Sequence, residues 1–162
     1  MDFDINECSL ELAIYTANKE ITFANLMWLE HIDVIRDKIV HLPFGDFQEN
    51  GAGKAVDSQS KWISFIGHFL NAKTELRVVY IDNEEKAFTE IQIIFQEYSV
   101  FEKLYHALNN KYGLYNKNEN HKYYWCRNGY FVIELSEERV IYKSIYRYIF
   151  NEKENKAQTE WL

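Results

Sequence analysis

The dipeptide Asn128-Gly129 constrains this chain more than any other local feature. A two-residue type I′ turn needs positive φ at both central positions, which Asn and Gly tolerate, and its twist matches that of two antiparallel strands. On either side of it, "HKYYWCR" and "YFVIEL" are rich in aromatic and β-branched residues and free of proline, so they read as the two arms of a hairpin. The turn sets a register in which Arg127 faces Tyr130, Cys126 faces Phe131, Trp125 faces Val132, Tyr124 faces Ile133 and Tyr123 faces Glu134. A second short turn at "SEER" then brings Leu135 opposite Val140 and Ile133 opposite Tyr142. On this register one face, with Tyr124, Cys126, Phe131, Ile133, Leu135, Val140 and Tyr142, is expected to be core. The other, with Tyr123, Trp125, Arg139, Lys143 and Arg147, is expected to be a partly wetted aromatic and basic surface.

Upstream of the hairpin, hydrophobic periodicity supplies the remaining elements. Leu10, Leu12 and Ile14 alternate with Glu11, Ala13 and Tyr15, the period of a half-buried strand. Trp28, Ile32, Ile35, Ile39 and Leu42 recur at helical spacing before Pro43, which predicts a helix over about 22–41 with Glu30, Asp33 and Asp37 on its water-facing side. Three strands follow in "KWISFIGHFL", "TELRVVYI" and "AFTEIQIIF". A second helix is expected over about 100–112, with Ser99 and Glu102 as a capping box, Phe101, Leu104, Tyr105, Leu108 and Tyr112 as its buried stripe, and Gly113 as its stop. Residues 43–60 hold three of the six glycines and the only proline and read as one long irregular loop.

Tight polar turns between successive strands argue antiparallel pairing. The fold class expected is α+β: a single domain over 1–150, with a twisted antiparallel sheet of about six to seven strands in meander pairing and both helices on one face. The polar tail, 151–162, is expected to fray or to be weakly helical.

The net charge of −7 is placed entirely at the front of the chain. Residues 1–57 hold 11 Asp and Glu against 4 Lys and Arg, whereas residues 58–162 hold 14 of each, so the acidity is a local property. Such a surface repels nucleic-acid phosphate and favours a basic protein partner. No stretch has the apolar length of a membrane helix and the N-terminus lacks a basic leader, so a cytoplasmic protein without membrane attachment is expected. Cys8 and Cys126 match no metal or redox spacing, which suits free buried thiols in a reducing compartment, with a disulfide between them as the alternative.

Catalytic patterns are hard to find. "GAGK" at 51–54 has Gln48 where a phosphate loop needs its first Gly, and Ala55 where it needs Ser or Thr. The five histidines fall in different elements with no paired ligand spacing, so neither a metal nor a cofactor is expected. A Cys126–His121 pair is conceivable, but a thiol on a core face is inert. No catalytic residue is nominated.

The expectation is therefore a non-enzymatic interaction protein, similar in character to a small acidic inhibitor or immunity-type protein that neutralises a cationic bacterial toxin or nuclease. Glu30, Asp33, Asp37, Asp46 and Glu49 supply its charge complementarity. The alternative is a small-ligand-binding domain or weak enzyme with a pocket lined by Trp28, Tyr105, Tyr124 and Tyr142 between sheet and helices. The third reading is single-stranded nucleic-acid binding on the face carrying Tyr123, Trp125, Arg139, Lys143 and Arg147. Self-association as a homo-oligomer is compatible with all three.

Overall fold

Two antiparallel meanders meet in the middle of one sheet. The computed structural model describes residues 21–56, 59–127, 130–145 and 159–161. The first meander runs β1 (Gln48–Lys54), β2 (Ser60–Phe69), β3 (Ala72–Ile81) and β4 (Phe88–Phe95). Helix α2 (Tyr98–Tyr112) then carries the chain to the opposite edge, and β5 (Lys117–Glu119), β6 (Lys122–Arg127), β7 (Tyr130–Leu135) and β8 (Arg139–Lys143) work back inward. The sheet order is β1-β2-β3-β4-β8-β7-β6-β5, with every pairing antiparallel. The α+β class is as expected, with eight strands among the described residues where six to seven were expected for the whole chain.

The two extra strands are the outermost ones. β1 lies inside the expected 43–60 loop and β5 inside the loop before the last hairpin; both are edge strands whose sequences, QENGAGK and KNE, carry no apolar alternation. The expected strand at 8–16 lies outside the described residues, as does most of the 151–162 tail.

One face of the sheet carries the core. Leu76, Val78, Ile91, Ile93, Val140, Ile133 and Leu135 are fully buried there and join the apolar side chains of both helices in a single cluster. The helix expected over 22–41 is only half present: α1 spans Ile32–Val40. Ala24, Asn25 and Leu29 adopt positive φ, which breaks a right-handed helix, and His31 bridges Ala87 as an isolated β contact. Trp28 is nonetheless buried as its spacing suggests, stacked on Phe88 at 4.7 Å with its indole N–H donating to the Ile21 carbonyl at 3.0 Å. In α2, Glu97 occupies the N-cap without a side-chain bond and Ser99 sits inside the first turn, so the expected capping box does not form. Gly113 ends the helix at φ 85°, as expected.

The last hairpin departs from its expected register at one residue. Arg127 pairs with Tyr130 and Cys126 with Phe131, but Trp125 then pairs with Ile133, Tyr124 with Glu134 and Tyr123 with Leu135. A β-bulge thus gives β7 one extra residue and turns β6 over relative to expectation. Trp125 and Tyr123 go to the helix-bearing face. Tyr124, Cys126 and Phe131 form a separate buried cluster, and the ammonium of Lys143 lies 4.8 Å above the Phe131 ring. The β7–β8 pairs, Leu135 with Val140 and Ile133 with Tyr142, stand as expected.

Candidate functional site

The acidic residues singled out by the sequence gather at one end of the sheet, where α1 runs beside the edge strand β1. Ile32, Ile35 and Ile39 anchor α1 to the core, which turns Asp33 and Asp37 to solvent. His31 caps the helix, its Nδ1 accepting from the Asp33 N–H at 3.0 Å. Arg36 reaches across to β1 and bonds both carboxylate oxygens of Glu49, at 2.9 and 3.0 Å, so helix and strand form one surface. That bond to Glu49 is the main reason the Arg36 guanidinium is held above its usual range, with the Glu49 and Asp33 charges reinforcing it. Glu30 accepts from Lys38 at 2.5 Å.

This geometry divides the five acids. Glu30 and Glu49 carry strong counter-ions and contribute little net charge outward. Asp33 shares Arg36 only at 3.4 Å, Asp37 has just His41 at 3.4 Å, and Asp46 has no cation partner among the described residues. Exposed apolar side chains stand among them: Val34 and Val40 on α1, and Phe44 beyond it. Val40, Asp46, Phe47, Gln48 and Glu49 line a groove of about 480 Å³. A second groove of about 530 Å³ runs along β1, lined by Arg36, Glu49, Asn50, Gly51, Ala52, Ile63 and Tyr80.

The expected basic and aromatic face is not assembled. Trp125 has no exposed surface, and its indole N–H donates to the Gly113 carbonyl at 2.9 Å. Tyr123 packs against Phe101, Tyr105 and Tyr115, and burial pushes its phenol above the ordinary range. Arg139 and Lys143 lie on the opposite face, Arg139 Nη1 donating to Gln92 at 3.4 Å and Lys143 standing 3.7 Å from Glu90. Arg147 lies outside the described residues. The cause is the β7 bulge, which flips β6 and leaves β8 in its expected phase.

The four aromatics expected to line one pocket do not share one either. Trp28 stacks in the core, Tyr105 joins the α2 cluster, and Tyr142 packs near Phe23 at 6.1 Å. Tyr124 is on the far face, where burial first, and then the charge and hydrogen bond of Glu134, raise its phenol well above the ordinary range.

Cys126 was expected to be a free buried thiol, and its sulfur is instead disulfide-bonded. A thiolate nucleophile paired with His121 is thereby removed. "GAGK" lies within β1 and its turn residues belong to an extended strand, so no phosphate-binding loop forms. Among the described residues no three His, Cys, Asp or Glu side chains are grouped to hold a metal, and no helix is long and apolar enough to cross a membrane.

Two features here escaped the sequence. The Arg36–Glu49 bridge joins residues 13 apart that only the β1 edge brings together. On the far face of the sheet, the Arg77 guanidinium stacks 4.5 Å over Trp62. Trp62 and Arg77 sit two residues from cross-strand partners, and their parity on β2 and β3 was the available signal. Comparison with protein-family models, with curated proteins and with solved structures found no match.

Proposed function

We propose that the protein is a protein-binding module that presents the outer side of α1 and the adjoining 44–47 loop to a basic partner, as an inhibitor or immunity-type protein would. The observation that carries this reading is the interleaving of acid and apolar groups on that surface. Exposed Val34, Val40 and Phe44 alternate with Asp33, Asp37 and Asp46, whose charges no strong counter-ion cancels among the described residues. An apolar centre within a charged rim is the anatomy of a transient interface. The acids contribute long-range attraction and orientation, and the apolar residues contribute residence time.

Immobilised protein used to capture partners from the cells that make it provides the test, with the captured partner then measured against wild type and the D33K/D37K variant. The expected result is binding that weakens with added salt and that the double reversal abolishes, with helix content unchanged by circular dichroism. A partner that binds both proteins equally, or with no dependence on salt, would place the interface elsewhere.

A further inference from the structure

The strand β1 carries a charge order that fits its own reverse. Among the described residues it is the outermost strand of the sheet, seven residues long, and exposed along nearly its whole length. An edge of this kind presents a row of unpaired N–H and C=O groups to any extended chain. The opposite edge, β5, has three residues and offers far fewer. The β2 register places Glu49 beside Phe65, Ala52 beside Ile63 and Lys54 beside Lys61, so these three residues share the helix-bearing side. The bulge between Glu49 and Gly51 is what brings Glu49 into phase with Ala52 and Lys54.

We propose that β1 is a self-association edge, on which a second copy of the chain adds its own β1 antiparallel across a twofold axis at Ala52. With Asn50 as the bulged residue on each strand, that pairing sets Glu49 opposite Lys54 of the second copy at both ends, and Gly51 opposite Gly53 between them. Both ends are therefore ion pairs of opposite sign on the same side of the joined sheet. Lys54 has no carboxylate partner among the described residues, so the second copy supplies the group it lacks. Glu49 is already held by Arg36 at 2.9 Å, which orients its carboxylate before the second copy arrives. On the far side, Trp62 lies across Gly53 so closely that a Cβ there would fall 2.5 Å from its ring. The indole thus braces a glycine strand that would otherwise be soft, while the glycines leave the backbone open to a neighbour.

The occupant follows from charge order. The strand is acidic at its start and basic at its end, and an antiparallel copy reverses that order. The surface is isologous, so it closes as a dimer and does not extend into a fibre. It lies along the β1 edge, which the Arg36–Glu49 bridge joins to the α1 surface proposed above.

Sedimentation equilibrium over about 1 μM to about 1 mM, the range of a weak or transient association, is the first measurement. The mass is expected to rise from 19.5 kDa toward twice that value. K54E and E49K are each expected to weaken association about tenfold, and their mixture is expected to recover it through Glu–Lys pairs formed only between the two variants. Ala52→Cys, at an exposed position, is expected to cross-link residue 52 to residue 52 of the second copy under mild oxidation, as peptide mapping would show. Wild-type protein that stays at 19.5 kDa across the range, or a K54E variant that dimerises as tightly as wild type, overturns the proposal.

Discussion

Replacing Trp125 tests the strand register on which the assignment of faces depends. In a hairpin without a bulge this side chain would lie on the wetted face, and truncating it would change stability by no more than about 0.5 kcal/mol, as at most surface sites. In the structure it has no exposed surface, meets Tyr115 edge-on with ring centres 6.5 Å apart, and bonds the Gly113 carbonyl at 2.9 Å. Trp125→Ala removes the ring, leaves a cavity and deletes the hydrogen bond to the carbonyl that ends α2, so the expected loss is about 3–5 kcal/mol. For a chain of this length that corresponds to a fall in Tm of roughly 6–20 °C. Trp125→Phe keeps most of the apolar contact and loses the N–H, so its loss should be about 1–3 kcal/mol. Denaturant and thermal unfolding followed by circular dichroism give both numbers, with Arg139→Ala as the surface comparison. A Trp125→Ala loss below about 1 kcal/mol would refute the bulged register.

Two further predictions rest on other parts of the far face and the core. Cys126 is disulfide-bonded, and the chain offers it one intrachain partner, Cys8, so non-reducing peptide mapping should recover a Cys8–Cys126 peptide. Closing a loop on the order of 100 residues contributes about 4–5 kcal/mol in the chain-entropy account, so reduction should destabilise the fold by up to that amount. Native protein in which both cysteines alkylate without reductant would contradict this. Burial raises the phenols of Tyr124 and Tyr142 above the ordinary tyrosine value of 10.0. A raised folded-state pKa favours the protonated phenol in the native state, so this contribution is complete below about pH 10 and is lost as pH climbs above it. The near-ultraviolet tyrosinate signal should therefore show a late group of tyrosines that ionise together with alkaline unfolding. Smooth titration of all tyrosines near pH 10 in folded protein would contradict the burial of both rings.

Whether an element could be read from the sequence depended on burial pattern. Strands β2, β3 and β4 and helix α2 each set apolar residues against the core at a regular period, so their place in the chain was visible. β1 has the burial pattern of an exposed segment, and "QENGAGK" contains no alternation to detect. Apolar spacing alone also overextended α1, because Trp28 reaches the core from an irregular segment and continues the helical stripe without being helical. The acidic ridge was legible as composition, but its strength was not. Arg36 and Lys38 return two of the charges, and only the fold shows that they reach Glu49 and Glu30.

The largest error came from a single residue. "YFVI", residues 130–133, is apolar at every position, so nothing in it marks which residue is extra, and the phase that holds for the Arg127–Tyr130 and Cys126–Phe131 pairs is lost beyond them. Because strand side chains alternate with period two, one unpaired residue exchanges the two faces of everything beyond it on that strand. β6 therefore carries Trp125 and Tyr123 into the core while β8 keeps Arg139 and Lys143 on the far side, and the composite surface the sequence suggested is divided by the thickness of the sheet. The acidic surface escaped this fate for a physical reason. Its phase is set by α1, where Ile32, Ile35 and Ile39 are buried and alternate with polar residues at a period no bulge interrupts. The side of an element that faces solvent is thus read more directly from a regular amphipathic helix than from a continuous apolar strand.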